Sequence, residues 1–313
     1  MEKRVLCMGV LVADFFAKPV TGMPERGKLV PVDHVALHIG GCAVNTGVVL
    51  KKLGGDVAVM GRVGDDALGE FMIRSLRKEG LETKIILDSS INTSGSVVLI
   101  HADGERSFIH SIGANGTFAL SDIDFEYVKK FSILHIAGAL MMPKFDNKAL
   151  AVLTERAKKE GLTVVLDTAW DSAGKWFSGL KDALPHVDYF LPSIEEARMI
   201  AGKQAPEDVA AFLLDCGVKN VGLKMGAGGS MVMNGGEKHF FPVLPIEVVD
   251  TCGCGDAYVA GFLAGLLRGY SFETCGLLAN LAGAKTATAM GATTAVTSWK
   301  DLVAFGVRHG RHI

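Results

Sequence analysis

The sequence predicts an α/β fold in which a mainly parallel sheet carries helices on both faces. Three observations predict it. Short apolar runs alternate with stretches of helical spacing, the pattern of strand–helix–strand units. The 313 residues are 49% hydrophobic and 21% charged, enough for a large core and far from a disordered composition. Glycine supplies 38 of 313 positions, roughly 12% against a typical ~7%, which calls for many tight turns and close backbone approaches.

In order along the chain, strands are expected at residues 5–10 and 57–63, each followed by a helix, at 44–53 and at 68–79, the latter closed by Gly80. Further strands are expected at 133–137, 163–167, 187–191 and 220–225, with helices at 147–160, 195–201, 206–216 and 272–290. Two segments break this rhythm. Residues 96–101 and 106–111 flank Asp103-Gly104, which suits a type I′ hairpin turn, and residues 28–38 form another extended stretch. Together they predict a small antiparallel flap, inserted at about 15–37 and 91–112 into a single domain spanning 1–313. A flap of this kind can close over a ligand or merely decorate an edge. Residues 230–243, with Gly235-Gly236, predict a second hairpin.

Charge and cysteine usage narrow the function classes. Lys+Arg (32) and Asp+Glu (34) leave a net charge of −2, so nothing basic stands ready for a nucleic acid backbone. The apolar run 5–13 ends in Asp14 without a small-residue cleavage site and reads as a first strand. No run approaches the ~20 apolar residues of a membrane helix. The six cysteines read as reduced thiols, and a cytoplasmic protein is expected. Neither a P-loop nor a Gly-x-Gly-x-x-Gly after the first strand is present, which argues against a dinucleotide-binding unit.

Chemistry concentrates in Asp250-Thr251-Cys252-Gly253-Cys254-Gly255-Asp256. It precedes a helical pattern over 257–267, in which Val259, Phe262, Leu263 and Leu266 share one face. Glycines before a helix N-terminus leave backbone N–H groups and a positive dipole end ready for an anion. Phosphoryl transfer needs that charge held and an attacking oxygen aligned, and the adjacent Asp256 supplies the second. Taken alone, Asp256 serves equally as a helix cap. The helix field is expected to lower its pKa.

The segment resembles the C-terminal signature of the ribokinase-like (PfkB) carbohydrate kinases, Asp-Thr-x-Gly-Ala-Gly-Asp. Their N-terminal signature is matched by Gly40-Gly41-Cys42-Ala43-Val44-Asn45-Thr46-Gly47 and by Gly61-Arg62-Val63-Gly64-Asp65-Asp66, and the similarity includes Gly113-Ala114-Asn115. The resemblance implies a three-layer α/β/α ribokinase-like fold with a small β lid, and ATP-dependent phosphorylation of a hydroxyl on a sugar or sugar-like substrate. It implies Asp256 as base and the amides of Gly253, Cys254 and Gly255 as anion hole. Asp14, Gly40, Gly41 and Asn45 would hold the substrate. Lys224, Gly226, Gly229, Thr251 and Asn280 would hold the nucleotide, and Glu196 would hold Mg²⁺ through water. Taken alone, Asp14 fits a strand-end turn, Asn45 a helix cap and Asn280 a satisfied core amide. Ser193 stands where the family has Asn. A monovalent cation as a further cofactor and a homodimer through the lid are left open. The rival readings are a nucleoside kinase of the same fold and a non-catalytic sugar or nucleotide sensor, which would have no need of the base.

Overall fold

The computed structural model describes residues 3–101 and 106–313, so the expected turn at 102–105 lies outside the described residues. The first strand, β1 (Val5–Gly9), lies inside the main sheet and is buried at every residue. Its side chains alternate between two cores, Val5 and Cys7 on one face, Leu6 and Met8 on the other. That two-sided burial is what a continuous apolar strand dictates. The small sheet and first helix come next: β2 (Val12–Val20), β3 (His34–Gly40) and α1 (Cys42–Lys52). β4 (Val57–Gly64), α2 (Ala67–Lys78), β5 (Glu82–Asp88), β6 (Gly95–His101) and β7 (Arg106–Ser111) follow, then the short α3 (Phe125–Val128). The second half runs β8 (Ile133–Ala139), α4 (Lys148–Lys159), β9 (Thr163–Thr168), β10 (Tyr189–Phe190), α5 (Ile194–Ala201), α6 (Pro206–Asp215) and β11 (Asn220–Lys224). It closes with β12 (Ser230–Asn234), β13 (Lys238–Phe241), α7 (Cys254–Arg268), α8 (Phe272–Thr286) and α9 (Trp299–Arg308).

Nine strands form one sheet in the order β13-β12-β11-β10-β9-β8-β1-β4-β5, parallel except for the hairpins β11–β12–β13. Helices α1, α2, α7, α8 and α9 pack on one face and α3 to α6 on the other, giving the three-layer arrangement. From β1 the chain winds outward through β4 to β5, then returns to build the opposite half from β8. Strand order reverses at β1, and a crevice opens at the carboxyl ends of the strands around such a reversal.

The small sheet, β3-β2-β6-β7, differs from the expected antiparallel flap. β2 runs parallel to β6, while β2–β3 and β6–β7 are antiparallel. Asp14 lies inside β2 rather than at the end of β1. The link between the sheets is stapled by Asn115: its Oδ1 accepts from Leu11 N at 3.1 Å and its Nδ2 donates to Leu11 O at 2.9 Å. That accounts for the Gly113-Ala114-Asn115 motif structurally. Asp66 is likewise a cap, accepting from the amides of Gly69 and Thr93, both at 2.8 Å.

Candidate active site

Helix α7 begins one turn before the apolar pattern does, because Gly253 turns the chain with φ +74° and Cys254 already opens the first turn. Alanine at 253 would press its Cβ against Ala292, so position 253 tolerates neither the torsion nor the volume of a side chain. The amide of Ala257 closes the first helical bond onto Gly253 O at 2.8 Å. The Cys254 N–H donates to Thr251 O at 3.3 Å. The amides of Gly253, Gly255 and Asp256 meet no acceptor among the described residues. Those three amides are the ones left open to an acceptor at the start of α7.

Asp256 sits where α1 meets α7. Its Oδ2 accepts from Asn45 Nδ2 at 2.8 Å, and its carbonyl accepts from Thr46 Oγ1 at 3.2 Å. Asn45 is thus no simple helix cap; it grips the carboxylate across 211 residues of chain. Desolvation raises the Asp256 pKa, and hydrogen bonds from Asn45 and the Cys42 thiol, with the Lys224 charge, pull it part of the way back. The expected lowering by the helix field is overturned: burial outweighs the dipole. Removing the donor tests this. Asn45→Ala is expected to cut turnover about tenfold and to move the acid limb of the pH–rate profile upward, read from initial rates between pH 5 and 8.

Across the cavity, Lys224 at the end of β11 donates from Nζ to Asp167 Oδ1 at 2.7 Å. Asp167, the penultimate residue of β9, is 1% exposed. The ammonium lies against Gly255, about 3.4 Å from where a Cβ there would stand. Asp167, Glu196 and Asp256 all hold its pKa above the usual lysine range against desolvation, so Lys224 stays charged at the mouth of α7. Desolvation raises Asp167 as well, to about 7, with Lys224 opposing. Three carboxylates thus share one ammonium.

Glu196 and Ser193 form a reciprocal cap on α5: Glu196 N donates to Ser193 Oγ at 3.3 Å and Ser193 N to Glu196 Oε2 at 3.2 Å. Ser193 does as an N-cap what Asn would do. Thr168 Oγ1 also donates to Glu196 Oε2, at 2.9 Å, so both bonds fall on one oxygen.

A cavity of about 900 Å³ joins these groups. Lys224, Gly226, Gly229, Thr251, Asn280 and Glu196 line it, as do Gly253, Cys254, Gly255 and Asp256. Asn280 has both amide ends engaged within the protein, to Ser230 Oγ at 3.0 Å and Pro242 O at 3.1 Å, so it presents a fixed wall. Asp14, Gly40, Gly41 and Asn45 do not line this cavity; they approach Asp256 from the α1 side. A Cβ at Gly40 would overlap the Asp14 carboxylate, and one at Gly41, with φ +92°, would overlap Val10 O. Those glycines make room for Asp14 and the chain before any ligand. Desolvation and the Asp256 charge raise Asp14 to about 6.

Asp167, Cys42 and Trp170 also line the cavity, and the sequence reading gave none of them a role. The indole of Trp170 is 58% exposed at the rim, edge-on to Trp176 with centroids 5.0 Å apart. Only the end of an apolar strand facing Lys224 could have marked Asp167.

A cradle of unbonded amides, a carboxylate and a charged lysine at a nucleotide-sized cavity define a phosphotransferase acting on an alcohol. Residues 2–299 match the family described as pfkB family carbohydrate kinase, and the chain belongs to that family. It is 30% identical to a fructokinase of Escherichia coli over 96% of this chain and 99% of that one. It is 28% identical to an ATP-dependent 6-phosphofructokinase of Thermoanaerobacterium thermosaccharolyticum over 86% of this chain and 83% of that one. A putative ribokinase II from E. coli, solved with ATP and Mg²⁺, shares the fold with a TM-score of 0.87 at 22% identity, covering 98% of this chain and all of that one.

Proposed function

We propose that the chain transfers the γ-phosphoryl group of ATP to a hydroxyl of a small sugar or sugar-like acceptor, with Asp256 as base. The observation that carries this is the convergence of the Asp256 carboxylate, the α7 amides and Lys224 on one cavity. The acceptor oxygen bonds to the γ-phosphorus, the bond to the β–γ bridging oxygen breaks, and the acceptor proton passes to Asp256. The amides of Gly253, Gly255 and Asp256 and the Lys224 ammonium hold charge on the transferring group. The raised pKa of Asp256 makes its ionised form a stronger base than an exposed carboxylate, while hydrogen bonds from Asn45 and the Lys224 charge favour the ionised form against desolvation. The purine end fits the apolar lining from Val243, Leu244 and Ile246 with Ala284 and Ala287.

The residues present suit Mg²⁺ carried in on the phosphates. The cluster has more carboxylates than ammonium groups, and the described residues hold no group of three or more His, Cys, Asp or Glu placed to bind a metal ion alone. Mg²⁺ commonly takes one or two carboxylates plus phosphates and water, and when bound it neutralises phosphate charge. Glu196, with Oε2 already bonded twice, would hold it through Oε1. Glu196→Gln is expected to raise the Mg²⁺ concentration for half-maximal rate about tenfold with turnover at saturating Mg²⁺ nearly kept, measured by Mg²⁺ titration at fixed ATP.

The small sheet serves as the lid, excluding water from the acceptor site. Its outer face leaves Val35, Val97 and Ile109 exposed, the place where two copies could pair. Among the described residues no helix is long and apolar enough to cross a membrane. ADP release measured over a panel of sugars and nucleosides, with Asp256→Asn as control, tests the reading: no release with any acceptor would defeat it, and release with nucleosides alone would favour the nucleoside kinase.

A further inference from the structure

We infer that the nucleotide slot does not read the base, so that GTP and ITP serve as phosphoryl donors about as well as ATP. This rests on the kinase reading above and widens its donor class to purine nucleoside triphosphates.

Two walls line the purine end of the cavity. One is the segment after β13, which presents Val243, Leu244, Ile246 and Val248; its charged residue, Glu247, does not line the cavity. The other is one face of α8 and its C-cap, where Asn280, Gly283, Ala284 and Ala287 recur at spacings of three and four. Branched aliphatic side chains on one wall and small residues on the other suit a flat ring, held by dispersion and by loss of apolar surface. Those forces follow the area covered, which is nearly the same for adenine, guanine and hypoxanthine.

Polar groups decide whether a base is read. Among the described residues of these two walls, Asn280 carries the only polar side chain that lines the cavity. Its Oδ1 accepts from Ser230 Oγ at 3.0 Å and its Nδ2 donates to Pro242 O at 3.1 Å, which fixes the amide in place. The one N–H left over can serve the N7 acceptor that adenine and guanine both carry, and so cannot tell them apart. Pro242 O is taken by Asn280 and Pro245 has no N–H, which withdraws two main-chain groups as well. The slot is also open, with Val243 53% and Val248 61% exposed. The hydrogen-bonding edge of a bound purine therefore stays in water, and the extra N–H groups of guanine lose no partner. Strong discrimination between related ligands needs a buried polar group that the wrong ligand leaves unpaired, and neither wall presents one.

The test uses the full chain with Mg²⁺ and has two arms. Calorimetric titration with the non-hydrolysable imido analogues of ATP, GTP, ITP and UTP gives each Kd without an acceptor. Diphosphate release from each triphosphate, with whichever sugar or nucleoside the chain turns over, gives kcat/KM. The three purine nucleotides are expected to agree within about tenfold in both arms. UTP is expected to bind roughly tenfold more weakly, because a single ring covers less of the slot. Asn280→Ala is expected to weaken ATP and GTP alike, leaving their ratio within about threefold of wild type. A larger preference for ATP over GTP and ITP, or a larger change of that ratio in Asn280→Ala, overturns the inference. Turnover with ATP alone would overturn it while leaving the kinase reading standing. Equal binding of the three purine nucleotides without transfer to any acceptor would uphold the slot as described and defeat the kinase reading.

Discussion

Asp256→Asn is expected to lower turnover about 10³-fold, the usual scale for losing a positioned base, with Mg·ATP affinity kept. The substitution preserves shape, and an Asn oxygen can still accept from Asn45 Nδ2, so α1 and α7 stay joined. Stability should not fall. The folded-state pKa of Asp256 is raised, so the native state holds this proton more tightly than the unfolded chain does. Ionisation therefore costs native stability, and the cost grows as pH rises through the ordinary carboxylate range towards the raised value. Above that window the Asn variant is expected to melt at the same or a higher temperature than wild type, and the advantage should vanish at low pH. Calorimetric melting at pH 4 and pH 8 beside steady-state rates checks both halves.

Lys224→Met is expected to combine a kinetic and a structural loss. The ammonium next to Gly255 opposes charge developing on the transferring phosphoryl group, and removing one such contact is worth about 10²–10³ in kcat. It also leaves Asp167 at 1% exposure without its ion partner. Unpairing a buried charge costs about 3–5 kcal/mol. Lys224→Met with Asp167→Asn is therefore expected to recover most of the lost stability in denaturant unfolding while turnover stays low. Recovery of turnover in the double variant would show that Lys224 acts only as a structural partner.

The parts of this site that were legible in the sequence are those written locally. Gly253-Cys254-Gly255-Asp256 ahead of an amphipathic helix states its own chemistry, because glycines and helix start are neighbours in the chain. The Asp167–Lys224 pair is not written that way. Its members stand 57 residues apart, and only the parallel register of β9, β10 and β11 brings them to one face. Strand β5 escaped notice for a related reason: Glu82–Asp88 is an edge strand that mixes polar and apolar residues in place of a buried run. Helix α8 was expected to reach residue 290 but ends at Thr286, where the chain turns back towards Asp250 and Gly291 N donates to Asp250 Oδ2 at 2.8 Å. The direction of the Asp256 shift was misjudged because the helix dipole is a local effect, whereas desolvation depends on what the whole fold packs around the carboxyl.

The most direct measurement is the single-turnover rate of phosphoryl transfer, followed by quenched flow at saturating Mg·ATP and acceptor as a function of pH. The expected profile rises with loss of one proton, has its midpoint above the ordinary carboxylate range, and reaches a plateau on the alkaline side of that midpoint. In Asp256→Asn the rate should be about 10³-fold lower and flat over the same range. An Asn variant that transfers at the wild-type rate, with the same acid limb, would contradict the assignment of Asp256 as the base.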